Sequence, residues 1–214
     1  LCAHGPDRSA AIRRLSRALD GYLIRGVGHN VPFLAAVLAN PRFAEGRLST
    51  NFIAEEYGDR FQGMELPDAK RHELAAIAVA MRVREAARAA TLSGRMRTWQ
   101  YRPVTAWSVQ LDDTVLPVDV ELHGHDGFTI SVGGHKQHVA IEWAPGQGLV
   151  RATIDGRFLV AQVDPILEGY VLTHGGAELR ILAEMSGDPV FVRTFVEGGD
   201  LHAIVASRIF GKPV

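Results

Sequence analysis

The sequence predicts an α+β chain in which short helices come first, one long helix follows, and an antiparallel β domain comes last. Residues 7–57 carry apolar stripes at helical spacing, and residues 68–93 contain no helix breaker. Residues 107–182 hold eight short runs rich in Val, Ile, Leu and aromatic residues, separated by Gly, Pro and Asp turns. Strands repeating about every ten residues are typical of a β-barrel or a β-sandwich.

Composition excludes several classes of protein. Of 214 residues, 47% are hydrophobic and 22% are charged, and the net charge is −1. These values exclude a disordered chain, a collagen-like chain and a polybasic nucleic-acid binder. A single cysteine, Cys2, excludes an internal disulfide framework, and no apolar run is long enough to span a bilayer. Because the sequence begins without an initiator Met or a signal pattern, we expect a part of a longer soluble chain.

The first part predicts three short helices. Asp7 and Ser9 are candidate caps of the first helix, whose apolar stripe is Ile12, Leu15, Leu19 and Tyr22. Asn30 caps the second helix, which ends at Asn40-Pro41, and the third follows Ser49-Thr50. Helices this short, with one-sided stripes, need another surface to pack on. We therefore expect a fragment of a larger domain.

The second part predicts one helix over residues 68–93, about 39 Å long. Residues 74–81 are apolar on every side of this helix, which indicates burial all round. Arg82, Arg84 and Arg88 follow, so the helix is expected to emerge into water near its end. The interior of the following barrel is the natural place for such a helix.

The third part predicts eight strands. Their expected ranges are 107–111, 115–122, 128–132, 138–143, 149–154, 158–163, 170–174 and 178–182.

Histidines give one alternative hypothesis, a small-ligand-binding barrel or a metal-dependent barrel enzyme using His123 and His125. Two histidines two residues apart on a strand face the same side, as a metal requires. Against this, the pair runs into a turn, and residues 126–131 contain no Glu. The chain also lacks a phosphate loop ending in Lys-Ser/Thr and a Gly-x-Ser-x-Gly elbow. If Leu74, Ile77, Ala78 and Met81 fill the barrel, no ligand fits inside.

Residues 94–103, between the long helix and the first strand, are basic and contain two aromatic residues. Nucleic-acid binding, a plain connector and protein contact are all open. Residues 111–214 hold 7 Lys and Arg against 14 Asp and Glu, and this acidic half argues against a polyanion ligand. Arg, Trp, Tyr and Met are enriched at the cores of protein interfaces, and the excursion is longer than a simple turn requires. The candidate partner-binding residues are Arg95, Met96, Arg97, Thr98, Trp99, Gln100, Tyr101, Arg102 and Pro103.

Motifs over the first 63 residues resemble the end of a biotin carboxylase domain, with an exit similar to that of acyl-CoA carboxylase α subunits of the propionyl-CoA type. The matching tracts are Pro6-Asp7-Arg8, Ala18-Leu19-Asp20-Gly21-Tyr22, Ile24-Arg25-Gly26-Val27, His29-Asn30, Phe33-Leu34, Arg42-Phe43, Gly46, Ser49-Thr50 and Tyr57-Gly58-Asp59-Arg60-Phe61-Gln62-Gly63. Trp107-Ser108-Val109-Gln110-Leu111 also looks like the first barrel strand of that family.

The resemblance implies three segments. Residues 1–63 would be the C-terminal fragment of a biotin carboxylase domain. Residues 64–183 would be the mediating (BT) domain, with a helix at 68–93, a hook loop at 94–103, and an eight-stranded antiparallel barrel at 106–183 that encloses the helix. Residues 184–214 depart from the family pattern and remain an uncertain extension.

The resemblance also implies a function. The parent α subunit would carboxylate biotin with ATP and bicarbonate, and this fragment would be an adaptor that docks it on the carboxyltransferase β subunit in a hetero-oligomer. The implied cofactors are biotin on a carrier domain, which would be a second partner, and ATP with Mg or Mn. None is expected on this fragment, which lacks the Ala-Met-Lys-Met carrier motif and any catalytic residue of the family. No nucleic-acid or membrane partner is expected. The implied location is the bacterial cytoplasm, or the mitochondrial matrix in a eukaryote.

Overall fold

A computed structural model describes residues 1–91, 103–112, 114–124, 127–166 and 169–185. Its helices are α1 (Arg8–Asp20), α2 (Val31–Ala39), α3 (Pro41–Glu45), α4 (Phe52–Tyr57) and α5 (Asp68–Ala90). Its strands are β1 (Ala106–Leu111), β2 (Thr114–His123), β3 (Gly127–Val132), β4 (His135–Glu142), β5 (Leu149–Ile154), β6 (Arg157–Ile166), β7 (Gly169–His174) and β8 (Ala177–Met185).

The eight strands form a closed antiparallel barrel. Each strand pairs with the next along the chain, and β1 pairs with β8 to close the sheet, with Leu111 opposite Ile181. The strands alternate between the two faces of the sheet: in β4 and β5, every second residue is buried inside the barrel and its neighbours face out. The α+β class with an eight-stranded barrel is therefore confirmed, and of the two β architectures that the spacing left open the barrel is the observed one.

The barrel encloses α5. Leu74, Ile77, Ala78 and Met81 are completely buried, and they share one hydrophobic core with residues from all eight strands. Exposure rises toward the end of the helix, where Arg88 is on the surface. A helix that is apolar on every side thus finds partners on every side, as its sequence predicted.

The helix begins at the predicted Asp68 but ends at Ala90, short of the predicted residue 93. Thr91 terminates it, because both its backbone N–H and its hydroxyl donate to the carbonyl oxygen of Arg88, at 3.0 and 2.8 Å. A side chain that competes for the last carbonyl groups favours the end of a helix over its continuation.

The predicted helices of the first part are present. Asn30 precedes α2 as predicted, but its side chain makes no capping hydrogen bond. Asp7 caps α1 as expected by accepting from Ala10 N–H, but α1 stops at Asp20, and Tyr22 lies outside the helix, half-exposed. The additional helix α3 begins at the Asn40-Pro41 pair that ends α2. The Asn40 side chain accepts from two backbone N–H groups of α3, so one residue both ends a helix and caps the next.

Candidate partner-binding site

The barrel interior has no room for a ligand in the part of the chain that the structure describes. Side chains of α5 and the inward-facing strand residues fill it, and residues 74–81 have no solvent-exposed surface. Interiors this closely packed leave few voids larger than a water molecule. The small-ligand hypothesis required that space, so function must be sought on the outside and at the two ends.

Ion pairs between side chains close one end of the barrel. Glu73, in the first turns of α5, is buried and pairs with Lys70 at 2.8 Å and Arg157 at 2.5 Å. Burial alone would raise the pKa of Glu73, but the hydrogen bonds from Lys70 and Arg157 outweigh it and lower the pKa. Arg71 also pairs with Asp112 at 3.0 Å, which ties the start of α5 to the turn between β1 and β2.

The opposite end is aromatic, and α5 leaves the barrel there. Trp143 and Tyr170 meet edge to face, with ring centroids 5.8 Å apart, and both are buried. Arg84 of α5 donates to the carbonyl oxygen of Trp143 at 3.0 Å, and burial lowers the pKa of Arg84. Burial also disfavours the charged form of the Tyr170 phenol and therefore raises its pKa, and Glu85 raises this pKa further. This end is therefore well packed up to the point where the chain continues from α5.

The predicted interface segment connects to this aromatic end. Eight of its nine residues, Arg95 to Arg102, lie outside the described residues. The ninth, Pro103, is exposed, as is Thr91 on the other side of the segment. Behind Pro103, Val104 packs on the core and accepts a hydrogen bond from the indole of Trp107 at 3.1 Å.

The histidines of the alternative hypothesis have local partners. His123 Nε2 lies 2.7 Å from the Thr129 hydroxyl, which is also 3.1 Å from His138 Nδ1. His125 lies outside the described residues. Among the residues that are described, no group of three or more His, Cys, Asp or Glu side chains could hold a metal ion. His123 therefore sits in a hydrogen-bond chain on the outer face of the sheet.

One set of contacts, between the helical residues and the barrel, has no signal in the sequence. Asp20 contacts His174 and Gly175. Arg25 contacts Val163 and Asp164, so the partners lie 138 to 155 positions apart in the sequence. Asp20 and Arg25 belong to matched tracts of the first part, but neither tract indicates a barrel partner. In the sequence, Gly175-Gly176 indicates a turn and nothing more.

Across the described residues, no helix combines the length and the apolar character needed to cross a membrane.

Comparisons with known proteins match both parts of the chain. The family described as the propionyl-coenzyme A carboxylase BT domain matches residues 74–185, and the biotin carboxylase C-terminal domain matches residues 1–55. The chain is 39% identical over 182 residues to the propionyl-CoA carboxylase alpha chain of Ruegeria pomeroyi, covering 85% of this chain and 27% of that protein.

Two further relatives are from mouse. The mitochondrial propionyl-CoA carboxylase alpha chain of Mus musculus is 38% identical over 159 residues, covering 73% of this chain and 22% of the relative. The mitochondrial pyruvate carboxylase is 47% identical over 53 residues, covering 25% of this chain and 4% of the relative. The chain thus spans about a quarter of the length of the propionyl-CoA carboxylase alpha chains that it matches. With more than half of its residues matched, it belongs to the propionyl-coenzyme A carboxylase BT domain family, preceded by a biotin carboxylase C-terminal segment.

Proposed function

We propose that this chain is part of the α subunit of a biotin-dependent acyl-CoA carboxylase of the propionyl-CoA type, and that it docks this subunit on the carboxyltransferase β subunit. Residues 1–63 end the biotin carboxylase domain, residues 64–183 form the mediating domain, and the hook at 94–103 carries the contact. The parent subunit carboxylates biotin with ATP and bicarbonate, in the bacterial cytoplasm or the mitochondrial matrix according to its source. The chemistry belongs to parts outside these residues.

The observation that carries the proposal is the filled barrel. A container or a pocket enzyme needs an internal cavity, whereas residues 74–81 occupy the centre of this one. Closure of β1 on β8 also removes the free sheet edge through which another chain could add a strand. What remains for binding is the outer surface and the connections between strands and helices.

The connection after α5 supports a docking role by its composition. Residues 92–102 link two exposed positions, Thr91 and Pro103, next to the well-packed aromatic end of the barrel. Trp99 and Tyr101 provide large apolar area, and Arg97 provides planar hydrogen-bond donors. These residue types supply most of the binding energy in protein interfaces.

Docking assists catalysis by raising the effective concentration of the biotin carrier at the two active sites. A carrier that bears biotin must visit the carboxylase site and the carboxyltransferase site in turn. Holding both sites in one assembly raises the effective concentration of the carrier at each, without changing the chemical step. On this proposal, loss of the hook should lower the overall carboxylation of acyl-CoA and leave ATP-dependent carboxylation of free biotin unchanged.

The direct test is co-purification of the α subunit with a carboxyltransferase β subunit from the same source, with and without residues 94–103. For the double variant Trp99→Ala and Tyr101→Ala, we expect association to weaken by ~1–3 kcal/mol in a calorimetric titration. Phe158→Ala is the matched control, because this aromatic residue is exposed beside Arg157, at the ion-closed end of the barrel. Wild-type affinity of the double variant would refute the proposal.

A further inference from the structure

The helical segment, residues 1–63, contacts the outside of the barrel at β6 and at the turn between β7 and β8. Asp20 Oδ1 accepts the backbone N–H of Gly175 at 2.7 Å, and its other carboxylate oxygen lies 3.3 Å from His174 Nδ1. The same His174 nitrogen lies 2.9 Å from the carbonyl oxygen of Val160, which can only accept, so Nδ1 carries the proton. Asp20 thus holds the end of α1 against two residues of one hairpin.

A second polar contact lies farther along β6. One guanidinium nitrogen of Arg25 donates to the carbonyl oxygen of Val163 at 2.7 Å and to the carboxylate of Asp164 at 2.8 Å. Gln162 lies between the two contacts and is buried. Two charged residues on the helical side, five positions apart, therefore attach to the same face of the barrel.

Two glycines make the approach possible. A Cβ at Gly176 would lie 2.6 Å from the Cβ of Ala35 and 2.8 Å from the carbonyl oxygen of Pro32. A Cβ at Gly148 would lie 2.6 Å from Leu23. Real Cβ atoms do not approach other atoms so closely. At Gly176 the neighbours include the backbone of Pro32, so this position admits only glycine while the helical segment is in place; at Gly148 they are the ends of the Leu23 and Arg25 side chains, which could move aside. Contacts of this kind fix an orientation, since a rotation of either part would separate or overlap them.

Burial makes the Asp20 contact dependent on its partners. The Asp20 side chain is only 11% exposed and that of His174 only 19%. Desolvation raises the pKa of Asp20, and the nearby His174, Gly175 N–H and Lys70 act against that rise. A carboxylate held here without these partners would keep the cost of desolvation and lose the groups that act against it, so the contact specifies the arrangement in which all of them face Asp20.

We infer that the helical segment and the barrel form one rigid body, with Asp20 and Gly176 as the residues that position the two parts. Resting on the proposed function, this means that the biotin carboxylase domain holds a fixed orientation relative to the barrel. The carrier then makes the journey between active sites by itself, and no hinge between residues 1–63 and the barrel contributes.

The test is a distance measurement between spin labels on the full chain. Cys2 is the only cysteine and is exposed, so Cys2→Ser clears the background. Arg13→Cys on α1 and Asp119→Cys on β2 then place one label on each part, at exposed positions. We expect a single narrow distance distribution in pulsed electron–electron double resonance, recorded without any β subunit.

Variants separate positioning from folding. Gly176→Asn should broaden the distribution and add new distances, whereas Gly156→Asn should not, because a Cβ at Gly156 meets nothing within 4 Å. The backbones of the two glycines have nearly the same φ, +80° and +78°, which asparagine tolerates. Asp20→Ala should also broaden the distribution, and Asp20→Asn, which keeps an acceptor for Gly175 N–H, should restore it.

Circular dichroism of each variant confirms that the barrel is folded. A broad or multiple distribution in the wild-type chain would overturn the inference. So would narrow wild-type distances in both Gly176→Asn and Asp20→Ala. Since no β subunit is present, these results stand apart from the docking test: a rigid joint with a non-binding hook, or a binding hook on a flexible joint, would each be recognised.

Discussion

The barrel and the helical segment differ in where they keep their large apolar side chains. Nine large hydrophobic residues are exposed among those described, and only Leu122 and Phe158 belong to the barrel. The other seven lie in the first 53 residues: Leu1, Tyr22, Leu23, Val27, Leu34, Leu48 and Ile53. Single exposed apolar residues are ordinary on a protein surface, so the difference between the two parts lies in how many such residues each one leaves exposed.

This difference shows how each part satisfies its own apolar surface. The barrel encloses a helix and closes on itself, so its core is complete within about 120 residues. The helical segment builds only a small cluster, in which Phe33, Tyr57 and Phe61 meet edge to face with ring centroids 5.3 to 6.0 Å apart. We therefore regard the barrel as self-sufficient and the helical segment as dependent on its surroundings.

The largest expected effect is on the free energy of unfolding, and it appears when one truncation in the barrel is compared with one in the helical segment. Leu74→Ala, in the fully buried stretch of α5, should lower the free energy of unfolding by ~2–5 kcal/mol, because it leaves a cavity that the closed barrel cannot collapse. Leu34→Ala, on α2, should change it by less than about 0.5 kcal/mol, since Leu34 is already 39% exposed. Urea denaturation measures the free energy of unfolding of both variants. Equal losses would remove the distinction between the two parts.

A smaller effect concerns the two buried carboxylates, whose pKa values move in opposite directions. Lys70 and Arg157 outweigh burial at Glu73 and lower its pKa, so its contribution to stability is present at neutral pH and is lost as the pH falls through the folded-state pKa. At Asp20, burial prevails and raises the pKa, so its contribution is complete at low pH and is lost as the pH rises through the folded-state pKa.

Carbon-detected NMR of the side-chain carboxyl groups measures both titrations in one sample. We expect Glu73 to titrate below the ordinary Glu value of about 4.3 and Asp20 above the ordinary Asp value of about 3.9. His174 and Lys70 act against the rise at Asp20 without cancelling it. A depressed pKa at Asp20 would mean that the joint stabilises charge as effectively as the barrel end does.

The smallest expected effect is the change in the free energy of unfolding when an exposed ion pair on the barrel surface is removed. Lys136 and Glu121 are 3.4 Å apart, and both side chains are more than half-exposed. Glu121→Gln should change the free energy of unfolding by less than about 1 kcal/mol, with no dependence on salt beyond that of the wild type. Thermal unfolding at two salt concentrations measures this. A larger loss would indicate that the outer face of β2 and β4 contributes more than its exposure suggests.

Sequence reasoning recovered the barrel better than the helical part, for physical reasons. Alternation and turn residues are local signals, and every predicted strand was found, although β4 begins at His135, ahead of the predicted residue 138. There, Gln137 is buried between exposed Lys136 and His138, so a polar side chain at an inward-facing position hid the alternation. The helix α3 was missed because Asn40-Pro41 indicates an end, and the same pair also starts a helix.

The contacts of the joint could not be predicted from the sequence. Asp20 and Gly175 are 155 positions apart, and neither residue type nor local spacing reveals that they meet. The family resemblance, by contrast, rested on long tracts and is confirmed by the matches to both domains. The hook residues Arg95 to Arg102 stay a prediction from composition and resemblance.

Threading a helix through a closed sheet also sets the order of events when the molecule is taken apart. The seam between β1 and β8 joins segments about seventy residues apart, and it must open before α5 can leave. A protease can cut the connections on the surface, yet the peptide bonds of residues 74–81 stay out of its reach until that seam separates. Cleavage within α5 is therefore expected to depend on how often the paired strands of the barrel separate.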